Sequence, residues 1–346
     1  MTEKFENVVR WVEENGGYVD KDIYLYVYEN GDRCLKTKKY KDDKEVLFRI
    51  PYECYIQGKS WYEVCVKLLN EFSKGKDSFY YPYLCMLPTI SDFKDYPLFK
   101  YNEDEIIVIQ KLNKECGRLL QDCYKRIYTL EQIVKNLLLP EYFKNRHLLK
   151  YVISLCNTRF FGTAGLIPIV DMLQHVQQKE SCNVIIQIQD ETIVDNLYKL
   201  NTGDSLTFCY RPGSMADLYI TYGIPPILDV NYISACLIFP DITEKQKKLI
   251  YIDYKDRTCF YFSDNGIDIM TLRKARILTC DEYDDNLINS DANRKAIDLL
   301  TEVLKLSFEE EYPVLNDRYK IFHDITAKQN EIIRKSIEDF KSVKNL

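Results

Sequence analysis

The chain has 346 residues, a formal net charge of −6 and a hydrophobic content of 46%. This length accommodates two domains, and the composition is that of an ordinary folded protein. The acidic balance argues against a general nucleic-acid binder, which needs clusters of basic residues to displace counterions.

The first sixty residues are predicted to combine one helix with strands. Residues 5–14 have apolar side chains at helical spacing, and Gly16-Gly17 follows as a stop signal. Residues 23–28 alternate as a strand does, and Asn30-Gly31 after them is typical of a tight hairpin turn. A further strand is predicted at residues 46–50.

From residue 60 onward the pattern favours helices first and then a mixture. The expected helices cover residues 61–72 (with Ser60 as N-cap), 104–127, 147–156, 216–221 (with Ser214 as N-cap), 296–304 and 333–340. The expected strands cover residues 184–188, 205–209, 249–254 and 258–262, the last two as a hairpin. Pro225-Pro226 marks a domain boundary.

The twelve cysteines are scattered between Cys34 and Cys280 and form no C-x-x-C or C-x-C pair. We therefore predict no metal site, and we expect reduced thiols. The N-terminus lacks a basic region followed by an apolar run, and no uncharged apolar stretch approaches the roughly 18–20 residues that span a bilayer. The expected location is cytoplasmic, with the nucleus as an alternative, and no membrane partner is expected.

Two short segments carry the clearest functional signal. Asp171-Met-Leu-Gln-His175 lies about thirty residues before Thr207-Phe-Cys-Tyr210, which continues through Ser214-Met-Ala-Asp217 to Tyr222-Gly223. Their order resembles the two active-site segments of SET-domain protein methyltransferases. The resemblance is to the class that includes the Rubisco large-subunit lysine methyltransferase and the actin-histidine methyltransferase.

The resemblance implies two catalytic tyrosines. Tyr222 matches the tyrosine that orients the target amine and faces the cofactor in that family, and Tyr210 matches the one that lines the target side-chain channel. A chain with 28 tyrosines leaves simpler interpretations open. Tyr222 can instead be a core residue, and Tyr210 the end of a buried strand.

The resemblance also implies S-adenosyl-L-methionine as the cofactor. Asp171, Gln174 and His175 match the segment that holds it, and Arg159 matches an arginine that contacts it. Gln174 replaces the family's asparagine and is longer by one methylene. The alternatives are an exposed glutamine at a strand exit and, for Arg159, a solvated cation at a helix C-terminus.

The first cofactor loop of the family contains two glycines. Gly31 matches the first and is assigned to the cofactor site, whereas Arg33 stands at the position of the second. A side chain of this size must point away from the cofactor or block its close approach. A hairpin turn alone also accounts for Gly31.

We therefore predict an α+β fold: a β-rich SET domain over residues 1–225, with a helical insertion at about 60–155, and a mainly helical substrate-binding domain over 226–346. The expected activity is methyl transfer to a lysine of a non-histone protein by a monomer. A histidine acceptor stays open. So does an inactive SET-like protein-binding module, which the departures at Arg33, Gln174 and Met215 motivate. The substrate protein and the number of methyl groups are not specified.

Overall fold

The chain forms two compact units, seen in a computed structural model. The first comprises Met1–Asn102 and Asp122–Pro212, and the second comprises Glu103–Gln121 and Gly213–Leu346. Helices and strands are mixed, so the predicted α+β class is confirmed. The residues that the structure describes are 2–29, 31–137, 139–162, 164–176, 181–210, 214–225, 232–238, 257–263, 266–267, 269–279, 290–308 and 316–344.

The strands of the first unit form one antiparallel sheet and three strand pairs. They are β1 (Tyr18–Val19), β2 (Ile23–Val27), β3 (Arg33–Thr37), β4 (Val46–Pro51), β5 (Phe160–Phe161), β6 (Gly165–Leu166), β7 (Gln174–His175), β8 (Val184–Ile188), β9 (Glu191–Asn196) and β10 (Thr207–Phe208). The sheet has the order β1-β4-β9-β8. Strands β2 and β3 pair antiparallel, as do β5 and β6, whereas β7 and β10 pair parallel.

Strand β9 shows why the sheet forms. Thr192, Val194 and Asn196 are buried, and the residues between them are partly exposed, which is the alternation of a strand with one covered face. The buried hydroxyl of Thr192 hydrogen-bonds to the hydroxyl of Tyr55 at 2.6 Å. This buried hydroxyl of the sheet is therefore paired.

The predicted hairpin turn after β2 is confirmed, and its second strand is β3, which the sequence pattern did not single out. Val27 pairs with Arg33 at the end of the hairpin. Gly31 has a φ of 89°, a conformation that glycine adopts without strain, and its N–H donates to the carbonyl of Tyr28 at 2.9 Å.

A buried ion cluster lies beside this hairpin. Lys41 Nζ is 2.7 Å from Asp20 Oδ2 and 3.1 Å from Asp22 Oδ2. Asp20 Oδ1 accepts the backbone N–H of Asp22 at 2.8 Å, and Lys39 lies 3.1 Å from Asp22 Oδ1. Every carboxylate oxygen in this cluster therefore has a partner.

Most helices of the described residues follow the predicted apolar stripes. The helices are α1 (Thr2–Glu14), α2 (Trp61–Lys74), α3 (Tyr81–Leu84), α4 (Pro97–Lys100), α5 (Ile106–Leu112), α6 (Lys114–Lys135), α7 (Arg146–Arg159), α8 (Met215–Tyr222), α9 (Ile269–Thr279), α10 (Ser290–Ser307) and α11 (Lys320–Lys344). Ser60 caps α2 as predicted, accepting the N–H of Glu63 at 3.2 Å. Helices α3, α4 and α9 were not predicted.

The single helix predicted over residues 104–127 is wrong, because the chain breaks at Asn113 into α5 and α6. Asn113 is fully buried with extended backbone angles, and its Oδ1 accepts the N–H of Cys116 at 2.8 Å. Its Nδ2 donates to Thr326 and Gln329, at 2.8 Å each. The asparagine side chain thus caps α6 and is fixed by groups about two hundred residues away in sequence.

The second unit contains α5, α8 to α11 and a three-stranded antiparallel sheet. Its strands are β11 (Tyr232–Ile238), β12 (Arg257–Ser263) and β13 (Gly266–Ile267), in that order. Strand β12 fits the predicted residues 258–262, whereas the predicted partner at 249–254 lies outside the described residues. Pro226 also lies outside the described residues, and the domain boundary at residue 225 stays a prediction.

Three chemical properties of the described residues bear on function. No described helix has the length and apolar character required to cross a membrane. No group of three or more histidine, cysteine, aspartate or glutamate side chains among the described residues is arranged to hold a metal ion. The nine cysteines whose side chains the structure describes are free thiols, and all of these except Cys85 are buried.

Candidate functional site

Arg159 and Asp171 form an ion pair in the first unit. Arg159 is the last residue of α7, and Asp171 lies in the short 3-10 turn Val170–Met172. Arg159 Nη1 donates to the carbonyl of Asp171 at 2.8 Å and lies 3.4 Å from its Oδ2. The Asp171 side chain is 1% exposed. Burial raises the pKa of the Asp171 carboxyl above its usual value, and the charge of Arg159 opposes that shift.

Tyr83 completes this pair and was not assigned a role from the sequence. Its hydroxyl donates to Asp171 Oδ2 at 2.9 Å, and its side chain is fully buried on α3. Burial raises the pKa of Tyr83 well above its usual value, so the hydroxyl keeps its proton and donates. The aromatic run from Phe79 to Tyr83 was the available signal, but no spacing rule connects it to Asp171.

A strained turn precedes Asp171. Ile169 has a φ of 69° and a ψ of −49°, and the N–H of Val170 donates to the carbonyl of Pro168 at 2.7 Å. A β-branched residue with positive φ is a rare and costly conformation, which persists only when its surroundings enforce it. Ile169 and Val170 are both buried, so packing holds the turn that places Asp171.

His175 and Tyr210 are in direct contact. The parallel pairing of β7 with β10 brings the two segments together, and the N–H of Tyr210 donates to His175 Nδ1 at 3.3 Å. Their ring centroids are 4.9 Å apart, and the Tyr210 hydroxyl donates to the carbonyl of Leu173 at 2.6 Å. Burial lowers the pKa of His175. A neutral ring whose Nδ1 accepts carries its proton on Nε2.

Gln174 lies next to His175 but is exposed. Its backbone N–H donates to the carbonyl of Leu206 at 3.0 Å. Successive residues of a strand face opposite sides, which places Gln174 and the partly buried His175 on different faces of β7. This position agrees with a glutamine at a strand exit, and its cofactor role stays a prediction.

Gly31 lies at the tip of the β2–β3 hairpin and is exposed. A Cβ added at this glycine would meet no atom within 4 Å in the described part of the chain. The positive φ therefore explains why a glycine occupies this position, whereas a lack of space for a side chain does not. A role of Gly31 at the cofactor stays a prediction.

Tyr222 belongs to the second unit, where it is the last residue of α8. Ser214 caps that helix as predicted, accepting the N–H of Asp217 at 3.1 Å, and its hydroxyl donates to Glu115 at 2.8 Å. Gly223, with a φ of 72°, ends the helix. The segment thus fixes where Tyr222 leaves the helix, and the catalytic role of Tyr222 stays a prediction.

Three buried polar atoms around Arg159, Asp171 and His175 have no hydrogen-bond partner among the described residues. They are Arg159 Nε, Asp171 Oδ1 and His175 Nε2, and only two other such atoms occur in the described part of the chain. A buried polar group without a partner costs about 1–3 kcal/mol. Arg159 Nε and His175 Nε2 can each donate to a polar ligand, and Asp171 Oδ1 can accept from one, so these residues fit a polar ligand.

Solved structures share this fold. The SET domain of LSMT bound to lysine and AdoHcy matches with a TM-score of 0.62 and 14% identity, over 99% of this chain and 92% of that one. Rubisco LSMT bound to AdoMet matches with a TM-score of 0.60, 14% identity and the same coverage. Rubisco LSMT bound to sinefungin and monomethyllysine matches with a TM-score of 0.62, also at 14% identity and that coverage.

Comparisons of the sequence alone find no relative of this chain. No protein-family model matches the chain, and no curated protein matches it. The structural likeness extends over 99% of the chain, although the identity is 14–16%. The resemblance read from the two active-site segments is thereby confirmed at the level of the fold, and the chain has the SET-domain fold of Rubisco LSMT.

Proposed function

We propose that the chain is a protein-lysine methyltransferase that uses S-adenosyl-L-methionine. The fold is that of structures solved with AdoMet, AdoHcy, lysine and methyllysine. The observation that carries the proposal is the set of three unpartnered buried atoms on Arg159, Asp171 and His175 among the described residues. These are residues that the sequence assigns to the cofactor.

Arg159, Asp171 and His175 would hold the cofactor, and Gly31 and Gln174 are proposed to border it. When bound, S-adenosyl-L-methionine supplies a methyl group activated by a sulfonium. The chain contributes two donors, Arg159 Nε and His175 Nε2, and one acceptor, Asp171 Oδ1. The depressed pKa of His175 keeps its ring neutral at physiological pH, so it adds no charge to a site that binds a cation.

The acceptor side of the reaction is assigned to Tyr210 and Tyr222. The Tyr210 hydroxyl already donates to the carbonyl of Leu173, and its backbone N–H is bound to His175. These bonds hold Tyr210 in place, which supports its proposed position in the wall of the target channel, and Tyr222 is proposed to orient the target amine. A desolvated channel lowers the pKa of a lysine ammonium and favours the neutral amine that reacts.

The proposed substrate is a lysine of a non-histone protein, methylated by a monomeric enzyme in the cytoplasm or the nucleus. A histidine acceptor is the nearest alternative, because an imidazole has no strongly basic ammonium to deprotonate. A non-catalytic protein-binding module is the second candidate. It is favoured by the exposed position of Gln174 and by the direction of Arg33, whose Nη1 donates inward to the carbonyl of Met86 at 2.8 Å.

Calorimetric titration with S-adenosylhomocysteine tests the proposal. We expect micromolar binding by the wild-type chain and a roughly 10–100-fold loss on Arg159→Met, because a charged hydrogen-bond donor is removed. Arg49→Met is the matched control, since Arg49 is an exposed arginine of the same unit. No binding at millimolar ligand overturns the proposal, and binding without methyl transfer to any protein in a cell extract favours the binding module.

A further inference from the structure

Arg33 stands where the resembling family has a glycine, and its side chain turns inward. It begins strand β3, is partly buried, and donates from Nη1 to the carbonyl of Met86 at 2.8 Å. Met86 lies one turn after Tyr83, whose carbonyl accepts its N–H at 2.8 Å. The Tyr83 hydroxyl in turn donates to Asp171 at 2.9 Å. A short chain of contacts thus leads from Arg33 to the candidate site.

Strand contacts and electrostatic interactions also indicate that Arg33 lies near Arg159 and Asp171. Strand β3 contacts both β7 and the turn that contains Asp171. Burial lowers the pKa of the Arg33 guanidinium, and the nearby positive charge of Arg159 lowers it further. The charges of Asp171, Asp92 and Asp32 oppose this shift, but among the described residues none of them lies within ion-pair distance of Arg33.

Both guanidinium groups retain hydrogen-bonding capacity. A guanidinium has five N–H donors in a planar fork that suits a carboxylate. Among the described residues, the hydrogen bond of the Arg33 guanidinium is the one from Nη1 to the carbonyl of Met86. The buried Nε of Arg159 has no partner there. Asp171 Oδ2 is shared by Tyr83 and Arg159, and no hydrogen bond joins Arg33 to either oxygen of Asp171 among the described residues.

The geometry points to Arg33 as a second guanidinium, beside Arg159, for the carboxylate of the methionine part of S-adenosyl-L-methionine. This inference rests on the proposed function, since that carboxylate is the cofactor's one anionic group. Arg33 is then a binding residue that replaces the close backbone approach of a glycine loop with a charged side chain. It does not obstruct the site.

The test compares two ligands that differ in the carboxylate. S-adenosylhomocysteine carries it, and 5′-methylthioadenosine lacks the whole amino-acid end. For Arg33→Met we expect the dissociation constant of S-adenosylhomocysteine to rise roughly 10–100-fold and that of methylthioadenosine to stay the same. Arg33→Lys should keep part of the affinity, because a lysine retains the charge but not the fork.

Each outcome separates the inference from the function on which it rests. Arg49→Met is the matched control, and the thermal midpoint of each variant checks that it is folded. Equal or tighter binding of S-adenosylhomocysteine by Arg33→Met overturns the inference and leaves the proposed function intact. Equal losses for both ligands also overturn it, because they indicate a general distortion. A wild-type chain that binds neither ligand overturns both.

Discussion

Two buried ion clusters of the first unit differ in how completely their polar atoms are bound. Around Lys41, every oxygen of Asp20 and Asp22 has a partner in the chain itself. Around Arg159, the pair with Asp171 leaves one nitrogen and one oxygen buried and without a partner among the described residues. A closed cluster stabilises the fold, whereas an open one keeps capacity for a ligand. The difference supports the proposal that the second cluster binds the ligand.

The largest expected effect concerns a residue outside both clusters. Tyr222→Phe should lower the rate of methyl transfer on the order of 100-fold or more, because the hydroxyl assigned to the target amine is lost. The dissociation constant of S-adenosylhomocysteine should stay nearly the same. A radiolabelled-methyl assay and calorimetry on the same preparations measure the two quantities. Unchanged turnover would refute the assigned role of Tyr222.

Breaking the closed cluster should cost stability and spare ligand binding. Lys41→Met leaves two carboxylates without their shared cation, and we expect a loss of about 2–3 kcal/mol in the free energy of unfolding. This expected loss is smaller than that for a fully buried ion pair, because the Asp22 side chain is still in contact with water. Urea denaturation measures it. Arg159→Met should lose the cofactor affinity that Lys41→Met retains, and an equal loss of affinity in the two variants would contradict the comparison.

His175, whose buried Nε2 also has no partner among the described residues, should affect the pH dependence of stability. Burial holds the pKa of folded His175 below its value of about 6.5 in the unfolded chain, so the unfolded state takes up the proton first. The stability that His175 contributes is thus present above pH 6.5 and is lost as pH falls towards the folded pKa. The loss is at most ~1.4 kcal/mol per pH unit.

Urea denaturation between pH 7.5 and 5.5 measures this loss. The wild-type chain should lose more stability over that range than His175→Gln. His147→Gln is the control, since His147 is exposed. Parallel curves for the wild-type chain and His175→Gln would show that His175 titrates alike in both states.

The smallest expected effect is at Gln174. Because its side chain is exposed, Gln174→Asn should change the free energy of unfolding by no more than about 0.5 kcal/mol. The substitution restores the family's residue, so calorimetry with S-adenosylhomocysteine shows whether the shorter amide reaches the ligand. A large loss of stability would mean that Gln174 has a structural contact instead.

Local signals in the sequence predicted the local parts of the fold. The cap at Ser60, the hairpin turn at Gly31 and the cap at Ser214 each depend on residues within a few positions of one another, and each is confirmed. The segment from Asp171 to His175 was recognisable because its residues are contiguous. These features require no knowledge of distant contacts.

The features that the sequence did not reveal depend on distant partners. The break at Asn113 is fixed by Thr326 and Gln329, and the apolar periodicity runs through it without interruption. Tyr83 gains its role only through Asp171, which is 88 positions away. Arg33 turns inward because of Met86, whereas its position after a hairpin turn predicts nothing about its direction.

The turn at Ile169 has a consequence for any attempt to raise the melting temperature of this protein. Substitution by glycine would relax the backbone at a φ of 69° but would remove a fully buried side chain and leave a cavity. Local relaxation and core packing thus oppose each other at this residue. Replacing Ile169 would also loosen the turn that sets the orientation of Asp171. Stabilising substitutions elsewhere in the protein would not restore that orientation.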